Sequence, residues 1–192
     1  ESSVTAPKRI ARYLVGRLRM VFKYPWQVAF GGDVFADTDW AGCLRTRKTT
    51  TGGVLMIGKH LMKSWSISQP SVTMSSGEAE MVGVTRAAAA ALGFRSLLAD
   101  FGLEWPMRVR TNSIASIGMC NRQGLGKVRH LDVQIMWIQQ RIRQHDLDLY
   151  KVLGEENPAD IMTKAGIPED RILHLIDLMG CRFVGGRAET AP

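Results

Sequence analysis

The sequence predicts a mixed α/β domain whose sheet opens with an antiparallel hairpin and continues through alternating helices and strands. Three observations carry that reading. Two apolar runs flank Gly58-Lys59, a pair suited to a two-residue turn. Ser75, followed three residues later by Glu78, marks the start of a long Ala-rich helix. Two further strand signals, at 107–111 and 147–152, are separated by helical patterns.

Taken in order, residues 7–20 read as a short amphipathic helix, with Ile10 and Leu14 on one face and Lys8, Arg9 and Arg12 elsewhere. Pro25 and Gly31-Gly32 bound it. Val34-Phe35-Ala36 is a strand ending in Asp37-Thr38-Asp39. Val54 to Ile57 and Leu61 to Trp65 form the hairpin. The helix from Ser75 has an apolar body, Met81 to Leu98, and Gly102 is its stop. Met107 to Thr111 is the fourth strand and Ile114 to Met119 a short helix. Asn121 to Arg129 is a loop. His130 to Gln144 is a helix, striped by Leu131, Ile135, Ile138 and Ile142. Leu147 to Val152 is the fifth strand. Asn157-Pro158 is an N-cap and first helical position, in a helix ending by Gly166. Residues 168–180 form one more helix, and the tail from Gly185-Gly186 reads as loose. The resulting order is βββ-α-β-α-α-β-α.

The 192 residues suffice for one domain with a core and a short appendage. With 45% hydrophobic and 22% charged residues, the chain is neither disordered nor fibrous. No apolar run in the sequence approaches the ~20 residues of a membrane-spanning helix, so no membrane partner is expected. The N-terminus shows no signal peptide and no initiator Met, which suggests a piece of something longer. Three scattered cysteines, without C-x-x-C spacing, argue for a reducing compartment and against a zinc site. A net charge of +7 permits a polyanionic partner.

Several acids sit at element ends, where carboxylates could converge on hard cations. Asp37 closes the first strand, and Asp39 shares its direction by period-two alternation. Glu78 has a capping duty. Glu80 has none, and lies on the face of Val84 and Ala88. Asp160 follows Asn157 in the first turn of its helix. Turn chemistry would explain Asp37 alone, and a helix dipole, contributing ~0.3–1 kcal/mol, would explain Asp160 alone.

Together these stretches resemble the ribonuclease H domain of copia-type retrotransposon polyproteins. The resemblance is carried by Phe35 to Cys43, Thr46 to Gly52, Ser64-Trp65-Ser66, Gln69-Pro70, Ser75 to Glu80, Arg129-His130-Leu131-Asp132 and Asn157 to Lys164. Lys8 to Leu14 looks like the tail of the region connecting to the reverse transcriptase. The implied division is a connection tail over 1–26, a ribonuclease H-like domain over 27–166, and a helix with loose tail over 167–192. The implied fold is a five-stranded mixed sheet, order 3-2-1-4-5, with helices on both faces. It brings the first and fourth strands together where the strand order reverses, a place that favours ligands.

The resemblance also implies two-metal hydrolysis of the RNA strand of an RNA–DNA hybrid, with Mg²⁺, or Mn²⁺ in its place. Its four acids correspond to Asp37, Glu80, position 112 and Asp160. Position 112 is Asn. An amide oxygen can still coordinate a metal but brings no charge, so an impaired enzyme is expected, slower by ~10² or more. A decayed copy, an inactivating substitution and an alignment shift are the competing explanations. No Asp or Glu lies between Glu104 and Asp132 to support a shift. The alternative reading is a nucleic-acid-binding remnant without turnover. Arg45, Arg47, Lys48 and Thr49, with a second basic loop at Lys127 and Arg129, are the candidate phosphate contacts. Trp40 and Trp65 read as core or sheet-edge aromatics. The implied partners are the hybrid and the reverse transcriptase portion of the same polyprotein, in a cytoplasmic particle or the nucleus.

Overall fold

The computed structural model describes residues 5–17, 19–126 and 132–186. The elements are α1 (Thr5–Leu14), β1 (Arg19–Phe22), β2 (Gly32–Asp39), β3 (Thr50–Ile57), β4 (His60–Ser68), α2 (Ser76–Asp100) and β5 (Met107–Thr111). There follow α3 (Ile114–Asn121), α4 (Asp132–Arg143), β6 (Asp148–Lys151), α5 (Glu169–Leu178) and β7 (Cys181–Val184). Two short 3₁₀-helices, Gly154–Glu156 and Pro158–Met162, lie between β6 and α5.

Five strands form one sheet in the order β4-β3-β2-β5-β6. This is the expected 3-2-1-4-5 arrangement. The β3–β4 hairpin turns at Gly58, whose positive φ of 56° suits glycine. β2 is antiparallel to β3 and parallel to β5, and β5 is parallel to β6. The Ser75 hydroxyl accepts from the Glu78 amide and starts α2, as its spacing predicts. The Glu78 carboxylate accepts from the Met74 amide, closing the cap from the other side.

Each sheet face has its own core. On one face, Val34, Ala36, Leu55 and Val109 pack against Met81, Val84, Ala88 and Ala91 of α2, with Met119 of α3 and Ile135 and Ile138 of α4. On the other, Val54 and Met56 pack against Ala159, Ile176, Met179 and Cys181. Trp65 lies over Gly53, where a Cβ would come within 2.0 Å of its ring. Trp40 instead sits 47% exposed, its indole N–H donating to the Thr73 carbonyl.

Four expectations change. The first helix ends at Leu14 because Gly16, at φ 76°, turns the chain, and Arg19–Phe22 becomes a strand. That strand pairs antiparallel with β7, from Arg19↔Val184 to Phe22↔Cys181, so the two end segments are joined. The helix after Asn157 is 3₁₀ and stops at Met162. Finally, α2 is long and apolar enough to cross a membrane by length and composition, although the sequence showed no uninterrupted run. In the fold it is the helix that covers the sheet.

Candidate active site

Asp37, Glu80 and Asp160 come from three remote elements and gather at the carboxyl end of β2. Strand pairing ends between β2 and β5 at Ala36↔Thr111. The next residues are Asp37 and Asn112, so the topological switch point holds one acid and one amide. Glu80 lies one turn into α2, which Gly83 brings down onto the sheet. A Cβ at Gly83 would come within 2.7 Å of Thr38. Asp160 belongs to the 158–162 helix, seated against β3 at Gly52. A Cβ there would meet Thr163, Met162 and Ala159 at 2.7–2.9 Å.

Asp37 is 1% exposed and Asp160 fully buried. The Thr163 hydroxyl donates to Asp37 Oδ2. Burial raises the Asp37 pKa to about 6, against the lowering by Thr163 and Lys164, with Asp160 adding to the rise. Burial also raises Glu80, to about 7, helped by the charge of Asp37 and opposed by Thr38 and Lys164. Glu80 Oε2 is buried without a hydrogen-bond partner. Asp160 is differently placed. Its Oδ1 accepts from Lys164 Nζ at 2.6 Å and its Oδ2 from Arg171 at 2.5 Å. Arg171 also donates to the Gly154 carbonyl at 2.9 Å. The side chain of Asn112 faces the same residue, its Nδ2 3.6 Å from where a Gly154 Cβ would stand.

Among the described residues, no three His, Cys, Asp or Glu side chains are placed to hold a metal ion as they stand. The donor set nevertheless suits a hard cation at Asp37 and Glu80. A buried and a half-buried carboxyl repel each other there, and one of their oxygens has no donor. At Asp160 each oxygen already accepts from a cation, so a metal ion there would face two positive charges.

The basic candidates divide. Arg45 and Arg47 are exposed in the turn after β2, with Arg47 in the left-handed region at φ 56°, and Lys48 is half-buried. Thr49 is a correction. It is fully buried, its hydroxyl sharing a hydrogen bond with that of Thr73 and accepting from the Ala41 amide, so it braces the loop rather than meeting phosphate. Lys127 and Arg129 lie outside the described residues, as does His130. The sequence reading missed Thr163, Lys164 and Arg171. Lys164 follows Asp160 at i,i+4, a readable signal. Arg171 gave none.

No family model matches the chain. It is 27% identical over 183 residues, 91% of its length, to the retrovirus-related Pol polyprotein of transposon TNT 1-94 from Nicotiana tabacum. The RE1 polyprotein from Arabidopsis thaliana matches at 25% over 85% of the chain. The chain spans only 13% and 11% of these two relatives. Among solved structures, a ribonuclease H1 isolated from compost superposes with a TM-score of 0.55 at 18% identity, over 69% of this chain and 92% of that one. A foamy viral protease–reverse transcriptase, solved in complex with RNA/DNA hybrid, gives 0.51 at 12% identity, over 73% of this chain and 20% of that one. Over most of its length the chain is a homologue of the Pol polyproteins of copia-type transposons, and its fold is that of a ribonuclease H domain.

Proposed function

We propose that the chain is a metal-dependent ribonuclease H-type domain that hydrolyses the RNA strand of RNA–DNA hybrids, slowed by Asn112. The observation that carries this reading is the pair Asp37 and Glu80. They are a buried and a half-buried carboxyl from separate elements, lifted to about 6 and about 7, one with a buried oxygen left without a donor. A stable fold tolerates such a pair poorly unless a cation is its usual counter-charge. A divalent ion such as Mg²⁺, or Mn²⁺, held by Asp37 and Glu80 would supply water activation and charge neutralisation at the leaving oxygen.

The chain's own residues do the rest. Asp37 and Glu80 would hold the ion. Thr163 bonds the carboxylate of Asp37, and Arg45, Arg47 and Lys48 would meet phosphates. An A-form-like hybrid would be read through its backbone and 2′-hydroxyls, so little sequence preference is expected. The two-ion mechanism implied by the resemblance calls for four carboxylates. Here position 112 is neutral and Asp160 is occupied by cations, so the donors fit one ion and not two as they stand.

A second reading, a hybrid-binding domain without turnover, is favoured by the same occupation of Asp160. Cleavage of a labelled RNA–DNA hybrid in Mg²⁺ or Mn²⁺, comparing the chain with Asn112→Asp, decides between them. The proposal expects slow cleavage by the parent and a gain of about 10² in the variant. A parent that binds hybrid without cutting it, beside a variant that cuts, supports the second reading. Equal cleavage by both removes Asn112 from the site.

A further inference from the structure

We propose that Lys164 and Arg171 are built-in counter-cations of Asp160 that stand in for a second divalent ion, so that the centre takes a single ion on Asp37 and Glu80. The inference rests on the metal-dependent reading above and deepens it.

A fully buried carboxylate needs a compensating charge. Asp160 has two. Lys164 and Arg171 each pair with one of its oxygens, at 2.6 and 2.5 Å, so a metal ion approaching Asp160 meets two fixed positive charges. Arg171 is held from both sides, since it also donates to the Gly154 carbonyl from its place on α5. The Asn112 amide faces the same residue, Gly154. The guanidinium thus lies between Asp160 and Gly154, the residue the Asn112 amide also approaches.

Charge accounting points the same way. Asp37, Glu80 and Asp160 bring three negative charges and Lys164 and Arg171 two positive ones. The single negative charge that remains is more than balanced by one dication. A second dication would enter a site already positive, beside two fixed cations. The charge of Lys164 also reaches Asp37 and Glu80, where Glu80 Oε2 is buried and unpartnered. Lys164 and Arg171 therefore pair with the oxygens of Asp160 and leave the unpartnered Glu80 oxygen to the metal, acting as positioning residues for Asp160.

The test counts ions. The full chain is saturated with a hybrid whose RNA strand is 2′-O-methylated and cannot be cut. Bound Mn²⁺ is then measured by electron paramagnetic resonance, with the hybrid alone as background. One ion is expected per wild-type chain, two for Lys164→Gln/Arg171→Gln, and one for the charge-keeping Lys164→Arg/Arg171→Lys. Folding of each variant is checked by circular dichroism. If the double variant does not fold, Lys164→Gln alone carries the comparison, because that side chain is half-exposed. Two ions on the wild type would overturn the inference and leave the metal-dependent reading standing. One ion on both wild type and the Gln variants would show that these cations hold no ion's place. No ion on the wild type would overturn the metal-dependent reading itself.

Discussion

The side-chain amide of Asn157 donates to the carbonyl of Ala36 at 3.0 Å, so the residue that caps the 158–162 helix also fixes the strand residue next to Asp37. Its Oδ1 accepts from the Ala159 amide at 3.2 Å, the capping bond that the Asn-Pro pair predicts. One fully buried side chain thus sets the spacing between the elements carrying Asp37 and Asp160.

Asn157→Ala should therefore lower stability by about 2–3 kcal/mol, since it removes a cap and leaves a buried carbonyl without its donor. Urea unfolding monitored by circular dichroism checks this. A loss below about 0.5 kcal/mol would mean that water or a neighbour replaces the amide.

The raised carboxyls make stability depend on pH with a definite sign. The folded pKa values of Asp37 and Glu80, about 6 and about 7, lie above the ordinary 3.8 and 4.5, so folding takes up protons at both. Their favourable contribution is complete below pH of roughly 4 and is lost as pH rises through 6 and 7. Without divalent ions, the melting temperature should fall over that window. Glu80→Gln should flatten the fall and stabilise the apo-chain at pH 8 by roughly 3 kcal/mol. Thermal melts from pH 4 to 8, with and without Mg²⁺, test both points. Mg²⁺ should restore wild-type stability above pH 7 and do much less for the variant.

Gly52 is a packing requirement rather than a conformational one. A methyl there would meet Ala159 O at 2.9 Å as well as Met162 and Thr163, two residues of the segment that carries Asp160. Gly52→Ala should cost about 1–3 kcal/mol and weaken divalent-ion binding, because it pushes Thr163 away from Asp37. Calorimetric Mn²⁺ titration alongside denaturation measures both effects. Unchanged ion affinity would show that the segment yields without disturbing the site.

Arg45 and Arg47 are exposed on the turn that follows Asp39. Arg45→Ala/Arg47→Ala should reduce hybrid affinity about tenfold at 0.1 M salt and shrink the salt dependence by one to two charges, with cleavage per bound complex unchanged. Fluorescence anisotropy across a salt series reads this directly. An unaltered slope would place the turn away from the phosphates.

What the sequence made legible was local chemistry. Gly58, Ser75 and Asn157 each announce a turn or cap through a residue type with few other uses, and the structure has all three. The strand order was read from the resemblance, since no short-range signal pairs β2 with β5. β1 and β7 escaped because each has four residues and only a partial burial alternation, and each becomes a strand only by meeting the other. Thr49 was misread because a hydroxyl beside arginines looks the same whether it faces solvent or a buried partner. Arg171 was invisible for a related reason. Its partner Asp160 is reached through folding alone, whereas Lys164 is one helical turn away.

The helix that presents Arg171 to Asp160 is gripped at both ends by the first stretch of the chain. Arg17 pairs with Glu169 at its start, and β1 zips to β7 just beyond its end. The residues before Pro25 are thus joined through α5 to a carboxylate in the centre. A fragment that began after residue 26 would keep every acid of the site and lose the strand and the Arg17 ion pair that hold α5.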